Sequence, residues 1–198
     1  MKAVIQFVLF IIIVVLGYLV YDSIMEPVKL KQEKNKREKV IIQRMKDIKN
    51  AELIYKQLNN SYTANWDTLV QFIDSAEIPV VKIIPDPTDT TFTLTINDTL
   101  GYVRVYDSLF HHKTNVDLSQ FMIIPFSGGD TIDLHAGRIN KGGVTVDVFE
   151  AKADYSSYLK GLDEQYIINL TAGKKDIDLY PGIKVGSMTE PSTDGNWE

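Results

Sequence analysis

Residues 3–20 read AVIQFVLFIIIVVLGYLV, with Gln6 as the only strongly polar side chain, Lys2 before the run and Asp22 after it. About 18 residues at about 1.5 Å of rise each cover roughly 27 Å, close to the hydrocarbon thickness of a bilayer. A core helix of this length ordinarily carries a polar stripe, and this run has none. A cleaved signal peptide has a shorter apolar region followed by a small-residue cleavage site. Here Tyr18, Tyr21, Asp22, Ser23, Ile24 and Met25 close the run without an A-x-A pattern. The stretch reads as a retained membrane anchor, marked by Ala3, Ile11, Val14, Tyr18, Val20 and Tyr21. Membrane lipid is its expected partner, and the tyrosines sit where amphipathic rings favour the headgroup layer.

Outward from the anchor, the fold class reads as α+β. A transmembrane helix (1–27) leads into a long amphipathic helix (28–59), then a helix plus a small antiparallel β-sheet domain (60–198). Proline disfavours a helical residue before it, so Glu26 is expected to break or kink the chain. Pro27 is acceptable in the first turn of the next helix. Residues 28–59 contain no Gly or Pro and are rich in helix formers. The first half, KLKQEKNKREK, is polar all round and reads as a solvated stalk, with Glu33 and Arg37 as an i,i+4 pair. Its lysines offer a second reading, contact with anionic headgroups.

In the second half, Ile41, Met45, Ile48, Ala51, Tyr55 and Leu58 form a packing seam along one helix face, widened by Val40, Leu53 and Ile54. Such a seam packs on the protein's own β-domain or on a partner helix. Asn59-Asn60-Ser61-Tyr62 ends the helix with turn-formers, and Thr63 or Asn65 can cap a second helix over residues 66–75.

From Val80 the period changes to two. Residues 91–96 (TFTLTI) and 102–106 (YVRVY) alternate around a turn at 97–101, which predicts a hairpin. Residues 121–126 (FMIIPF) predict a short strand bent or at an edge because of Pro125. Ser127-Gly128-Gly129-Asp130 leads into 131–136, and Lys141-Gly142-Gly143 turns into 144–150, completing an antiparallel meander. A short helix is expected over 156–162, a last strand or extended segment over 166–170, and a loop with an exposed end from Tyr180.

The chain has 198 residues, a net charge of −5 and no cysteine. Disulfides, thiolate metal sites and thiol nucleophiles are excluded together. An acidic chain without a broad basic face is a poor nucleic-acid binder, so no nucleic-acid partner is expected. His111, His112 and His135 do not match zinc-ligand spacings, and Asp86, Asp89, Asp130 and Asp133 do not fit a calcium loop. The glycine pairs lack the Gly-Lys-Ser/Thr of a phosphate loop, and no G-x-S-x-G occurs. No catalytic, metal or cofactor site is expected, and no enzyme activity.

The order of parts resembles type IV pilins and the pseudopilins of type II secretion. The resemblance rests on the helix over 41–58 followed by Asn59-Asn60-Ser61-Tyr62, similar to the helix end and turn of that family. It implies an amphipathic helix packed on a small antiparallel sheet. The family's leader ending in Gly has no counterpart here, and no Glu lies between Ala3 and Val20. The layout also resembles the bitopic alignment protein of pilus and secretion machines. The ending Gly195-Asn196-Trp197-Glu198 resembles uncharacterised Bacteroidota envelope proteins.

The expected function is that of a single-pass, membrane-anchored envelope protein. It would serve as a structural or interaction subunit of a membrane assembly, secretion- or pilus-related. Its expected partners are other envelope proteins, or a second copy through the helix. Two alternatives are a membrane-tethered ligand- or glycan-binding domain, using Tyr102, Tyr106 and Phe126 on one sheet face, and an anchored hydrolase. Counting Lys29, Lys31, Lys34, Lys36, Arg37 and Lys39 favours a cytoplasmic domain. Their interleaving with Glu33 and Glu38, and the signal-anchor form of the N-terminus, point to a periplasmic one.

Overall fold

The computed structural model describes residues 2–85, 95–111 and 116–198. The expectations on Asp86, Asp89, residues 91–94 and His112 lie outside them.

One helix, α1, runs from Lys2–Asn59 with Pro27 inside it. The expected break at Glu26 does not occur. Strong helix formers on both sides carry the helix across the one backbone donor that proline removes. α1 stops at Asn60, whose φ of 58° takes the left-handed conformation that ends many helices.

Next come α2 (Trp66–Ser75), β1 (Glu77–Pro85), β2 (Thr95–Arg104) and α3 (Val105–Phe110). After them follow a 3-10 turn (Leu118–Gln120), β3 (Asp133–Lys141), β4 (Val144–Asp154), α4 (Tyr155–Tyr158), α5 (Glu164–Lys175) and β5 (Gly182–Gly186). The class is α+β. The Asn65 side chain caps α2 by accepting from the Thr68 N–H at 3.1 Å.

The strands form two separate antiparallel sheets rather than one meander: β1–β2, and β3–β4–β5 with β4 central. Residues 97–101 are not a turn. They belong to β2, which absorbs Leu100 as a bulge, because Val80 pairs with Gly101 and Val81 with Thr99. The strand expected over 102–106 ends at Arg104, where the Val105 N–H donates to the Ala76 carbonyl and the chain turns into α3. Residues 121–126 are not a strand either. They form turns with one isolated bridge, Ile123 to Thr131, closed by Ser127, whose Oγ donates to the Ile124 carbonyl and accepts from the Asp130 N–H.

The extended segment expected over 166–170 is part of helix α5. Asp163 caps it, accepting from the Tyr166 N–H at 2.7 Å, and a Gln165–Asn169 pair supports it one turn on. The expected loop after Tyr180 contains β5, paired with β4 from Gly182 opposite Asp154 to Gly186 opposite Glu150. Both glycines are required by contact: a Cβ at Gly182 would strike the Ala153 carbonyl, and one at Gly186 the Phe149 carbonyl. The β3–β4 turn falls where Lys141-Gly142-Gly143 placed it, with positive φ at both glycines.

A single core joins these pieces. Ile41, Met45, Ile48 and Ala51 of α1 are fully buried against α2, α3 and the three-stranded sheet, with Leu69, Ile73, Phe149 and Val185 among the facing side chains.

Candidate interaction surfaces

The chain presents surfaces to its surroundings on α1 and on the β1–β2 ribbon. The first is the apolar end. The helix Ile5–Asn59 is long and apolar enough to cross a membrane, and none of its most apolar window is buried inside the domain. Ile11, Val14, Tyr18, Val20 and Tyr21 all face outward. Ala3 lies within α1.

The second is a polar clamp within the stretch expected as a solvated stalk. Arg37 Nη1 donates to the Tyr158 carbonyl at 3.1 Å and the Lys160 carbonyl at 2.9 Å. The same guanidinium holds Glu33 at 3.0 Å and lies over the Phe126 ring. Lys34 pairs with Glu38 at 2.7 Å and faces the Tyr155 ring, while Tyr158 Oη donates to Glu38 at 3.3 Å. Burial, and then the Glu38 charge, push the Tyr158 phenol far up, so it stays a donor. The signal was present as the i,i+4 charge pair, but an exposed pair and a docked pair look alike in sequence.

Above the clamp lies the seam. Ile41, Met45, Ile48 and Ala51 are buried; Tyr55 is half-buried with its ring edge-on to Phe72 at 4.9 Å. Leu58 is exposed, as are Val40 and Leu53, while Ile54 packs at the core's margin. At about 100° per residue, Leu58 has rotated about 100° away from Ile41, whereas Glu52 has returned to within about 20° of it. Glu52 is accordingly the buried carboxyl of the seam. Its Oε2 accepts from the Thr63 N–H at 3.1 Å, and its Oε1 finds no partner among the described residues. Burial pushes its pKa up to about 7, against the lowering effect of the Thr63 N–H.

Away from these stands the β1–β2 ribbon. It exposes Ile83 (65%), Leu100 (64%) and Tyr102 (66%), with Val80, Val81 and Val103 also open. Pro79 stands opposite Tyr102 and Val81 opposite Thr99, so these four share one face. Tyr106 and Phe126 do not join Tyr102 on that face. Tyr106 sits in α3, its ring 5.2 Å from Phe110 and its hydroxyl bonded to the Val116 backbone. Phe126 lies in a turn at φ 70°.

A cleft of about 480 Å³ opens between α1, α5 and the C-terminal segment, lined by Lys34, Glu38, Tyr155, Asn169, Lys174 and Trp197 among others. His111 and His135 are exposed, and no group of three metal-ligating side chains occurs among the described residues.

Compared with protein-family models, with curated proteins and with solved structures, the chain matches none.

Proposed function

We propose that this chain is a single-pass membrane protein whose α+β domain works by protein–protein contact within an envelope assembly, on the periplasmic side, in a pilin-like or secretion-related role. The observation that carries the reading is the unbroken helix α1: one element begins in the apolar run and ends in the domain core, clamped there through Arg37. Such a rod holds a domain at a fixed height above a bilayer. It suits a subunit that presents surface better than one that needs a mobile tether. The buried seam residues are occupied by the chain's own core, and the β1–β2 ribbon is one exposed apolar surface of the described domain that is available for contact.

The test joins two measurements on the full chain in its native membrane. A reporter fused at the C-terminus is expected to be active only outside the cytoplasm. Photo-crosslinkers placed at Ile83 and Tyr102 are expected to trap protein, while one at exposed Lys36 is not. A cytoplasmic reporter signal removes the envelope role; an unlabelled ribbon removes the contact role.

The cleft favours a second reading, a tethered receptor for a hydroxyl-rich ligand such as a glycan. Aromatic Tyr155 and Trp197 border amide and charged groups there. A ligand-induced rise in melting temperature across glycans and peptidoglycan fragments, lost in Trp197→Ala, is its expected mark.

A further inference from the structure

We infer that the cleft between α1, α5 and the C-terminal segment is a binding site for a sugar that bears a carboxylate. The inference rests on the second reading above and names the ligand class.

The fold alone explains neither Gly173 nor Lys174, and both line the cleft. Gly173 lies within α5 and not at its cap, which is Asp176. Glycine weakens a helix relative to alanine because it gives up more backbone freedom on folding. It is required where the backbone turns left-handed or where a side chain would collide. Neither holds here: Gly173 is not among the positive-φ glycines, and a Cβ on it would meet nothing within 4 Å. The room it leaves lets a bound molecule approach the helix backbone.

Lys174 is half-buried, whereas Lys175 beside it is exposed. Both suit the negative end of the helix dipole, so the dipole gives no reason for covering one of them. Lys174 has no ion pair among the described residues. An ammonium partly withdrawn from water without an anion beside it is a poor arrangement for the fold. A carboxylate in the cleft supplies the missing partner. The other charges there cancel. Glu38 is the one acidic side chain in the lining, and Lys34 holds it at 2.7 Å. The Tyr158 hydroxyl donates to it as well, at 3.3 Å. One positive charge is left uncompensated, and it selects an anion.

The remaining walls fit a sugar ring. Asn169 accepts from the Gln165 amide at its Oδ1, and its own Nδ2–H groups are left for a hydroxyl. Tyr155 and Trp197 supply aromatic surface, and Ile42 and Leu170 apolar surface, for the C–H face of a ring. Asn196 ties the segment before Trp197 to β5, donating to the Gly182 carbonyl at 2.9 Å and accepting from the Lys184 N–H at 3.1 Å. The volume of about 480 Å³ falls in the range of small-molecule sites, about 300–1,000 Å³.

The test is titration calorimetry on the full chain in detergent micelles with two matched pairs of sugars. They are glucuronic acid against glucose, and N-acetylmuramic acid against N-acetylglucosamine. Within each pair the acid is expected to bind at least about tenfold more tightly. Lys174→Gln is expected to bring the acid down to the level of the neutral sugar. Gly173→Leu is expected to keep or raise the melting temperature and to abolish binding of acid and neutral sugar alike, a combination that loss of fold cannot produce. Equal affinity within both pairs, or acid affinity unchanged in Lys174→Gln, overturns the inference and leaves the receptor reading standing. Binding unchanged in Gly173→Leu places the site outside the cleft and overturns both. If none of these sugars binds, the inference falls, and the receptor reading survives only where another glycan raises the melting temperature.

Discussion

Arg37 and Tyr158, 121 positions apart in sequence, are joined by a hydrogen bond of 3.1 Å from the guanidinium to a backbone carbonyl. The same group reaches the Lys160 carbonyl at 2.9 Å. These bonds fasten the polar half of α1 to the turn after α4. Removing the charged donor with Arg37→Ala is expected to lower stability by about 1.5–3 kcal/mol, the range for hydrogen bonds to charged groups. Lys36→Ala next to it, where the ion pair to Glu33 is 3.9 Å and the side chain open, is expected to change stability by less than about 0.5 kcal/mol. Urea unfolding of the full chain in micelles, followed by tryptophan fluorescence, measures both.

Glu52 makes stability depend on pH. Its carboxyl titrates near 4.5 when unfolded and near 7 when folded, because burial disfavours the ion. Below about 4.5 both states hold the proton. Between about 4.5 and 7 the unfolded chain releases it first, so the folded state loses stability as pH rises. Above about 7 this contribution is gone and the curve is flat for this group. The span of the effect is roughly 3 kcal/mol by linkage. Melting temperature is expected to fall from pH 5 to pH 7.5 in the wild type, and Glu52→Gln to remove most of that slope. Superimposable slopes would show that another group is responsible.

The seam divides into buried and spare positions. Ile48→Ala deletes packed methyl groups from the core and is expected to cost about 2–5 kcal/mol. Leu58→Ala, on the exposed side, is expected to cost less than about 1 kcal/mol. Limited proteolysis at rising urea concentration ranks the two. Near-equal midpoints would contradict the burial difference.

Gly186 tolerates no side chain. Its φ is +75°, and a Cβ would meet the Phe149 carbonyl across the β4–β5 pair. Gly186→Ala is expected to cost well over 1 kcal/mol and to speed amide exchange along β5 and its partner residues 150–154. Gly17→Ala has nothing within 4 Å and is the control, with no loss expected.

Helices α1 and α2 were legible because their signal is local. The apolar run, the 41–51 seam and the Asn65 cap each declare themselves within a few turns. Strands were less legible because pairing partners are distant. Leu100 and Gly101 look like turn residues until Val80 and Val81 are known to lie opposite. The glycines of β5 resemble loop punctuation, yet they are what lets that strand approach β4. Ile167, Ile168 and Leu170 suggest extended chain, but the Asp163 cap decides for helix. Of the surfaces described, the exposed apolar end of α1 and the buried half of the seam could be read directly. The clamp around Arg37 could not, since its acceptors are backbone carbonyls, which carry no sequence mark. Glu52 could have been found from its angular position on α1.

The continuation of α1 as one helix through Pro27 has a mechanical consequence. From Tyr21 to Ile48 the helix rises about 40 Å, so a lean of about 20° in the bilayer carries the attached head sideways by about 14 Å. With the apolar end of α1 in a bilayer, as proposed above, a change in membrane thickness that alters the lean would become a lateral sweep of the head, with the lipid as fulcrum.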